Sequence, residues 1–335
     1  MEDLLMAMSK ERLVLISTGK INASQKYEQF TEDDLKKMSA ATGFVLTPTD
    51  DYNAYKTNYS EFITAVAAQA AVLPDGKVFY VGLPVINASD AYVYSSADYD
   101  RLKKFIIAIH EKYASDSRFK GFYFTNERVF GTVSVSSPTS NAMVKLMNDL
   151  AYVIRNDPNS KIYKEFIWAP YLGYNYTYYT INQNLGIVAN RTNIFNTVYL
   201  QSAYYFTPDR GKWNASTRLG VPEKNLELAV KCAQQNKVFN YTANDDRFVI
   251  SSSAVGGTKT SSTKIAIDME AEDSLRWNSA TFRPYYEKEC AAYSPLITGG
   301  TCPFVFYAGS YNGIIKANLC QSIQEFYQNG GCKLP

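Results

Sequence analysis

Short, continuously apolar, β-rich runs alternate with segments of helical period along almost the whole chain. This alternation narrows the possible folds more than any other feature. Eight runs read as strands: Leu13–Ser17, Gly43–Leu46, Val78–Leu83, Gly121–Thr125, Phe166–Pro170, Thr197–Gln201, Lys264–Glu270 and Pro303–Ala308. Runs that are apolar on both faces suit parallel strands covered from both sides. Between them, Leu102, Phe105, Ile106, Ile109 and Tyr113 recur at helical spacing, as do Met143, Leu146, Met147, Leu150 and Ile154. Ser137 is placed to cap the latter helix, with Pro138 where a missing N–H costs nothing. Pro222 opens a further helix with Leu226, Ala229, Val230 and Ala233 inward, and weaker patterns cover 32–39, 60–72, 283–292 and 313–328. One more helix is expected after the fifth strand. Eight strand–helix units predict one α/β domain over residues 1–335, a (β/α)8 barrel of the TIM type. Residues 238–263 break the pattern and read as a hairpin and loop inserted before the seventh strand, with Val238–Tyr241 and Phe248–Ile250 as its strands.

Composition removes several function classes. A net charge of +2 supplies no basic field for nucleic acid. No apolar run approaches the roughly 20 residues of a transmembrane helix. With His110 as the single histidine, in a helical segment, a Ser-His-Asp or Cys-His site has no base, and zinc lacks ligands. Residues 255–260 lack the spacing of a phosphate-binding loop. No cofactor and no metal are expected. Tyrosine is abundant, with 27 residues, which reflects either a sugar-binding, hydrogen-bonding surface or compositional drift.

No signal peptide is visible at the start, yet two features suggest a secreted or cell-surface glycoprotein. Seven Asn-X-Ser/Thr sequons occur, at Asn22, Asn58, Asn87, Asn175, Asn190, Asn214 and Asn240, and all five cysteines lie in the last third. Two disulfides with one thiol left over are expected, Cys290–Cys302 and Cys320–Cys332 being plausible neighbours.

A barrel of this type carries its active site at the C-terminal ends of its strands. The fourth strand ends in Asn126-Glu127, and the seventh carries Asp268, Glu270 and Glu272 on one face. A carboxylate in an apolar strand is costly to bury unless paired. Two such groups facing each other across a barrel mouth would suit glycoside hydrolysis, which needs one acid and one nucleophile or base. Rim carboxylates paired with Arg128 or Arg276 are the alternative. Trp168 and Tyr171 end the fifth strand, Gln201 and Tyr205 the sixth, Tyr307 the eighth, and Tyr174, Tyr176, Tyr178 and Tyr179 follow the fifth. Aromatic faces stack on sugar rings and phenols hold hydroxyls; the alternative is that several of these side chains pack the barrel top or the helices.

Four segments, Gly121–Glu127, Ile167–Tyr171, Val198–Phe206 and Ile267–Glu270, resemble in their order an uncharacterised bacterial family, defined by a domain of unknown function and regarded as glycoside hydrolases by analogy alone. That family is similar to the clan A (β/α)8 glycoside hydrolases, which act with retention. The resemblance covers roughly residues 78–310 and implies Glu127 as acid/base, Glu270 as nucleophile and Asn126 as a ligand of the sugar 2-hydroxyl. Tyr123, Trp168, Tyr171, Gln201, Tyr205, Asp268 and Tyr307 would bind substrate. The Asp-x-Glu-x-Glu series leaves Asp268 and Glu272 as alternative nucleophiles. The expected partner is a carbohydrate substrate, or a glycan ligand if the barrel only binds.

Overall fold

The computed structural model describes residues 11–21, 24–48, 59–86, 89, 91–172, 179–206, 222–244, 247–277 and 279–334. Its strands are β1 (Arg12–Ser17), β2 (Gly43–Thr47), β3 (Val78–Gly82), β4 (Phe119–Phe124), β5 (Glu165–Trp168), β6 (Thr197–Gln201), β7 (Phe239–Asn244), β8 (Arg247–Ala254), β9 (Lys264–Glu270) and β10 (Phe304–Tyr307). The helices are α1 (Glu32–Lys36), α2 (Ser60–Ala71), α3 (Ser96–Tyr113), α4 (Ala142–Arg155), α5 (Tyr179–Arg191), α6 (Pro222–Gln235), α7 (Ser274–Trp277), α8 (Ser279–Thr298) and α9 (Leu319–Asn329). Among the described residues, eight parallel strands close in the order β1-β10-β9-β6-β5-β4-β3-β2, with helices between them. This is the TIM-type (β/α)8 fold that the alternation predicts.

Strand parity divides the core in two. Leu13, Leu15, Val45, Tyr80, Tyr123, Ile167, Ala169, Tyr199, Ala266 and Val305 fill the barrel interior. Their neighbours Val14, Phe44, Phe79, Phe122, Phe166, Val198, Ile265 and Phe304 pack outward against the helices. Both faces are apolar, which is why these strands read as continuous runs. β4 and β5 approach closely at Gly121, where a Cβ would lie 2.0 Å from the Glu165 carbonyl oxygen.

The barrel is closed at its N-terminal end by a polar floor. The Tyr80 hydroxyl lies 2.7 Å from Glu11 Oε1 and 2.6 Å from Glu165 Oε2, and Tyr199 donates to Glu11 Oε2. A phenol has one proton to give, so two ionised carboxylates around Tyr80 would leave one oxygen facing a lone pair. A proton on Glu11 relieves this. Burial pushes its pKa up to about 6, helped by Glu165 and opposed by the hydrogen bonds from Tyr199 and Tyr80. The folded protein therefore holds this proton in a window where the unfolded chain, titrating near 4.5, has released it. Stability falls as pH rises through that window, by about 2 kcal/mol for this group. Glu11→Gln should remove the slope: calorimetry should show its Tm above wild type at neutral pH and converging with it below the window. Parallel curves across the window would refute the assignment.

β7 and β8 form a separate two-stranded antiparallel sheet between α6 and β9. Asn190 of α5 fastens its base. The amide Nδ2 donates to the carbonyls of Val238 and Val255, each at 2.9 Å, and the Val238 N–H donates to Oδ1 at 3.0 Å.

Several local expectations need correction. Helix α4 is capped by Asn141, whose Oδ1 accepts from the N–H groups of Met143 and Val144, while Ser137 and Pro138 open a separate 3-10 turn. The segment 313–328 is broken: Asn312–Lys316 forms a π turn, and Asn318 at φ 63° separates it from α9. All five cysteines are free thiols. Cys332 lies against Cys290, which holds its thiol below the usual value, and so does not meet Cys320. Of the sequons, Asn190 and Asn240 are buried, and Asn240 Oδ1 accepts from Asn182 at 2.9 Å. Asn22, Asn58, Asn87, Asn175 and Asn214 lie outside the described residues. Neither cysteines nor described sequons therefore argue for export. No helix among the described residues is long and apolar enough to cross a membrane.

Candidate active site

Above the apolar interior layer, the same inward parity delivers polar residues to the barrel mouth. They surround a cavity of about 320 Å³. Ser17 of β1, Thr47 of β2 and Tyr307 of β10 line one side with Tyr27 from the loop after β1. Tyr123 of β4, followed by Thr125 and Glu127, faces Asp268 and Glu270 of β9, with Tyr171, Gln201 and Phe206 between them. β4 and β9 are three steps apart around the ring, so their carboxylates approach the same space from different walls.

Each acid has a distinct setting. Gln201 Nε2 donates to the Ala169 carbonyl at 2.7 Å and lies 3.4 Å from Glu127 Oε1, so the amide is held by β5 while it faces the carboxylate. Glu270 is 3% exposed and accepts from the Ala203 N–H at 2.8 Å through Oε2. Burial pushes its pKa up to about 8; the Ala203 hydrogen bond opposes this, and the charge of Glu127 adds to it. Asp268 is 1% exposed, and its Oδ1 has no hydrogen-bond partner among the described residues. Burial first, then Glu270, Glu127 and Glu289, hold its carboxyl well above the usual carboxylate range. Burial and mutual repulsion therefore oppose ionisation of both β9 acids together. Glu272, the third acid of the series, turns to Ser274, which donates to its Oε1 at 3.1 Å, and does not line the cavity.

Ala203 sits at φ 51°, a left-handed conformation that costs a residue with a Cβ about 1–2 kcal/mol. The strain points its N–H at Glu270.

Of the expected site residues, Glu127, Glu270, Tyr123, Tyr171, Gln201, Asp268 and Tyr307 come together in this cavity. Three do not. Asn126 has the opposite parity from Thr125 and Glu127, and its amide is engaged by Ile86, donating to the carbonyl at 3.0 Å and accepting from the N–H at 3.2 Å. Trp168 faces outward from β5, fully buried, stacked on Phe195 with ring centroids 5.1 Å apart and donating to the Asn126 carbonyl at 2.7 Å. Tyr205 is buried beside Phe282, its hydroxyl 2.9 Å from Ser274 Oγ. Trp168 and Tyr205 belong to the packing around the barrel, and Asn126 holds the segment after β3. Tyr174, Tyr176 and Tyr178 lie outside the described residues. Arg128, the alternative ion-pair partner, lays its guanidinium 4.3 Å from the Phe130 ring centroid. Ser17, Thr47, Tyr27 and Phe206 were not anticipated. Counting by two from Leu15 and Val45 reaches Ser17 and Thr47, whereas nothing local marks Tyr27 or Phe206.

Among the described residues, no three His, Cys, Asp or Glu side chains are grouped so as to hold a metal ion.

No protein-family model matches the sequence, and no curated protein matches it. Solved structures do. A GH5 xyloglucan-specific endo-β-1,4-glucanase from a metagenomic library, solved with cellotriose, matches over 98% of both chains at 12% identity and a TM-score of 0.55. The likeness is one of fold. A GH5-4 broad-specificity endoglucanase from an uncultured bacterium aligns over 96% of this chain and 95% of its own, at 10% identity and a TM-score of 0.49. A fungal β-1,4-galactanase aligns over 89% and 88%, at 12% identity and a TM-score of 0.47. The structural neighbours thus include GH5 glycoside hydrolases of clan A, built on the same (β/α)8 barrel.

Proposed function

We propose that this chain is a glycoside hydrolase acting with retention, with Glu127 as acid/base and Glu270 as nucleophile. One observation carries the reading: two carboxylates from walls three strands apart line a single cavity with Tyr123, Tyr171, Gln201 and Tyr307. Such a cavity offers hydroxyl donors and acceptors, aromatic faces for sugar rings, and an acid on each side of a bond laid across it. Retention requires the carboxyl groups to stand about 5–5.5 Å apart around the bound sugar, and inversion roughly 6.5–9.5 Å. The stereochemistry of the first-formed product, read by NMR, tests this directly. Since the barrel solved with cellotriose shares the fold, β-1,4-glucans and xyloglucan head the substrate panel.

The raised pKa of Glu270 gives a signed pH dependence. A nucleophile acts ionised, so kcat/KM, which reports the free enzyme, should climb through about pH 8 and favour the alkaline side. If Glu270 were instead the proton donor, kcat/KM would fall across the same interval. A pH–rate profile on an aryl glycoside decides between the two roles.

A second reading, a glycan-binding barrel without catalysis, is favoured by the burial and mutual repulsion that oppose ionisation of Asp268 and Glu270. Neutral carboxyls donate hydrogen bonds to hydroxyls well and attack poorly. Glycan-array binding without turnover at any pH would support it.

A further inference from the structure

Behind the cavity wall, the turn that follows β6 is tied to α8 by a buried contact. Ser202 and Glu289 are both fully buried, and Ser202 Oγ donates to Glu289 Oε1 at 3.0 Å. The Tyr204 N–H approaches the same Oγ at 3.3 Å, and Asn225 Nδ2 lies 3.4 Å from the Ser202 carbonyl. Between Ser202 and Tyr204 stands Ala203, at φ 51°, with its N–H 2.8 Å from Glu270 Oε2. A left-handed alanine persists only where its surroundings hold it there, and the contacts made by Ser202 bracket it on both sides.

We propose that Ser202, anchored by Glu289, is a positioning residue: it locks the left-handed turn at Ala203 and so aims a backbone N–H at Glu270. The part this plays in catalysis rests on the glycosidase reading; the lock itself does not. A directed N–H stabilises the ionised form of a carboxylate and fixes one oxygen, leaving Oε1 to face the cavity. Without the Ser202 hydroxyl, Tyr204 N–H and Glu289 lose their shared partner, the turn relaxes towards an ordinary conformation, and the Ala203 N–H leaves Glu270. The other groups facing Glu270 are Asp268 on the same strand, Glu127 beyond β4, Tyr307 on β10 and Tyr293 on α8. None of these is a cation or a positioned N–H donor to Oε2, so no other group named here replaces the lost hydrogen bond.

The test is the titration of Glu270 followed by carbon-detected NMR of the glutamate carboxyl groups, its resonance assigned by comparison with Glu270→Gln. Ser202→Ala should raise the midpoint by about one pH unit, the effect of losing one hydrogen bond to a charged oxygen. Ser202→Cys, nearly isosteric and a weak hydrogen-bonding group, should do the same and serves if the alanine variant does not fold. Ser202→Thr, which keeps the hydroxyl, should restore the wild-type midpoint. Glu289→Gln keeps an acceptor for Ser202 and should leave the midpoint at or below the wild-type value. An unmoved midpoint in folded Ser202→Ala or Ser202→Cys overturns the proposal, as does an equal rise in Glu289→Gln, which would mark general loosening. Where a glycoside is hydrolysed, the acidic limb of kcat/KM should move with the NMR midpoint. The titration needs no substrate, so a shifted midpoint in a protein without activity refutes the glycosidase reading and leaves the lock standing.

Discussion

Replacing Glu270 by glutamine should abolish the hydrolysis proposed for this site and make the protein harder to unfold. The activity loss follows from the proposed role: an amide neither attacks the anomeric carbon nor exchanges a proton there, and removing a group of this kind lowers kcat by about a thousandfold or more. Glu127→Gln should lose activity on a similar scale. The stability gain has a separate cause. Glu270 is buried beside two other carboxyls, and its folded pKa stands near 8 against 4.5 for an ordinary glutamate. A carboxyl whose folded pKa is raised favours the folded state at low pH and opposes it as pH rises through the window between those values. At pH 8 that opposition amounts to a few kcal/mol, an order of magnitude shared with its coupled neighbour Asp268. Glu270→Gln carries no such charge. Its urea midpoint should exceed that of wild type at pH 8 and match it near pH 4.5, while turnover of an aryl glycoside vanishes. Retained turnover would remove Glu270 from the mechanism, and equal urea midpoints at both pH values would show that its burial costs nothing.

Asn190→Ala should be strongly destabilising although it removes no apolar packing from the barrel core. The side chain is 0% exposed and satisfies three backbone groups at once, the N–H and carbonyl of Val238 and the carbonyl of Val255. These are the two ends of the β7–β8 hairpin. An alanine leaves the Val238 N–H and the Val255 carbonyl without this partner, while the Val238 carbonyl keeps the Val255 N–H at 3.1 Å, so the cost is about 1–3 kcal/mol for each of two buried groups. Partial relaxation brings the expected total to about 2–4 kcal/mol. Chemical denaturation measures the loss, and hydrogen exchange locates it, with faster exchange starting at the Val238 and Val255 amides. A change below about 1 kcal/mol would mean that the hairpin is held mainly by other contacts. The same geometry predicts that Asn190, although part of a sequon, stays unmodified, since its Nδ2 is already engaged twice.

The architecture was legible because both of its signals are local. Leu13–Ser17 or Thr197–Gln201 shows an apolar run, and Met143 to Ile154 shows a helical stripe, whatever the rest of the chain does. The (β/α)8 count then follows from repetition. What such runs conceal is parity. In Ile167-Trp168-Ala169 every residue is apolar, so nothing in the run says that Ile167 and Ala169 face the interior while Trp168 faces Phe195. Asn126 and Tyr205 stand outside the cavity lining for the same reason, as chemically suited neighbours of residues that line it. Where polar residues alternate within the strand, as at Asp268 and Glu270, period two was visible and the pair was found. Tyr27, and the backbone of Ala203, depend on how loops fold over the mouth, and no local pattern reports that. The cysteines and sequons show a further limit, because a spacing rule carries no information about burial.

The floor made by Glu11, Tyr80, Tyr199 and Glu165 bears on traffic as well as on stability. On the proposed glycosidase reading, the filled interior and this floor leave no way through the ring, so a polymer would lie across the mouth. A released fragment would then leave by the opening through which its successor arrives, so short products should compete with substrate for the same berth.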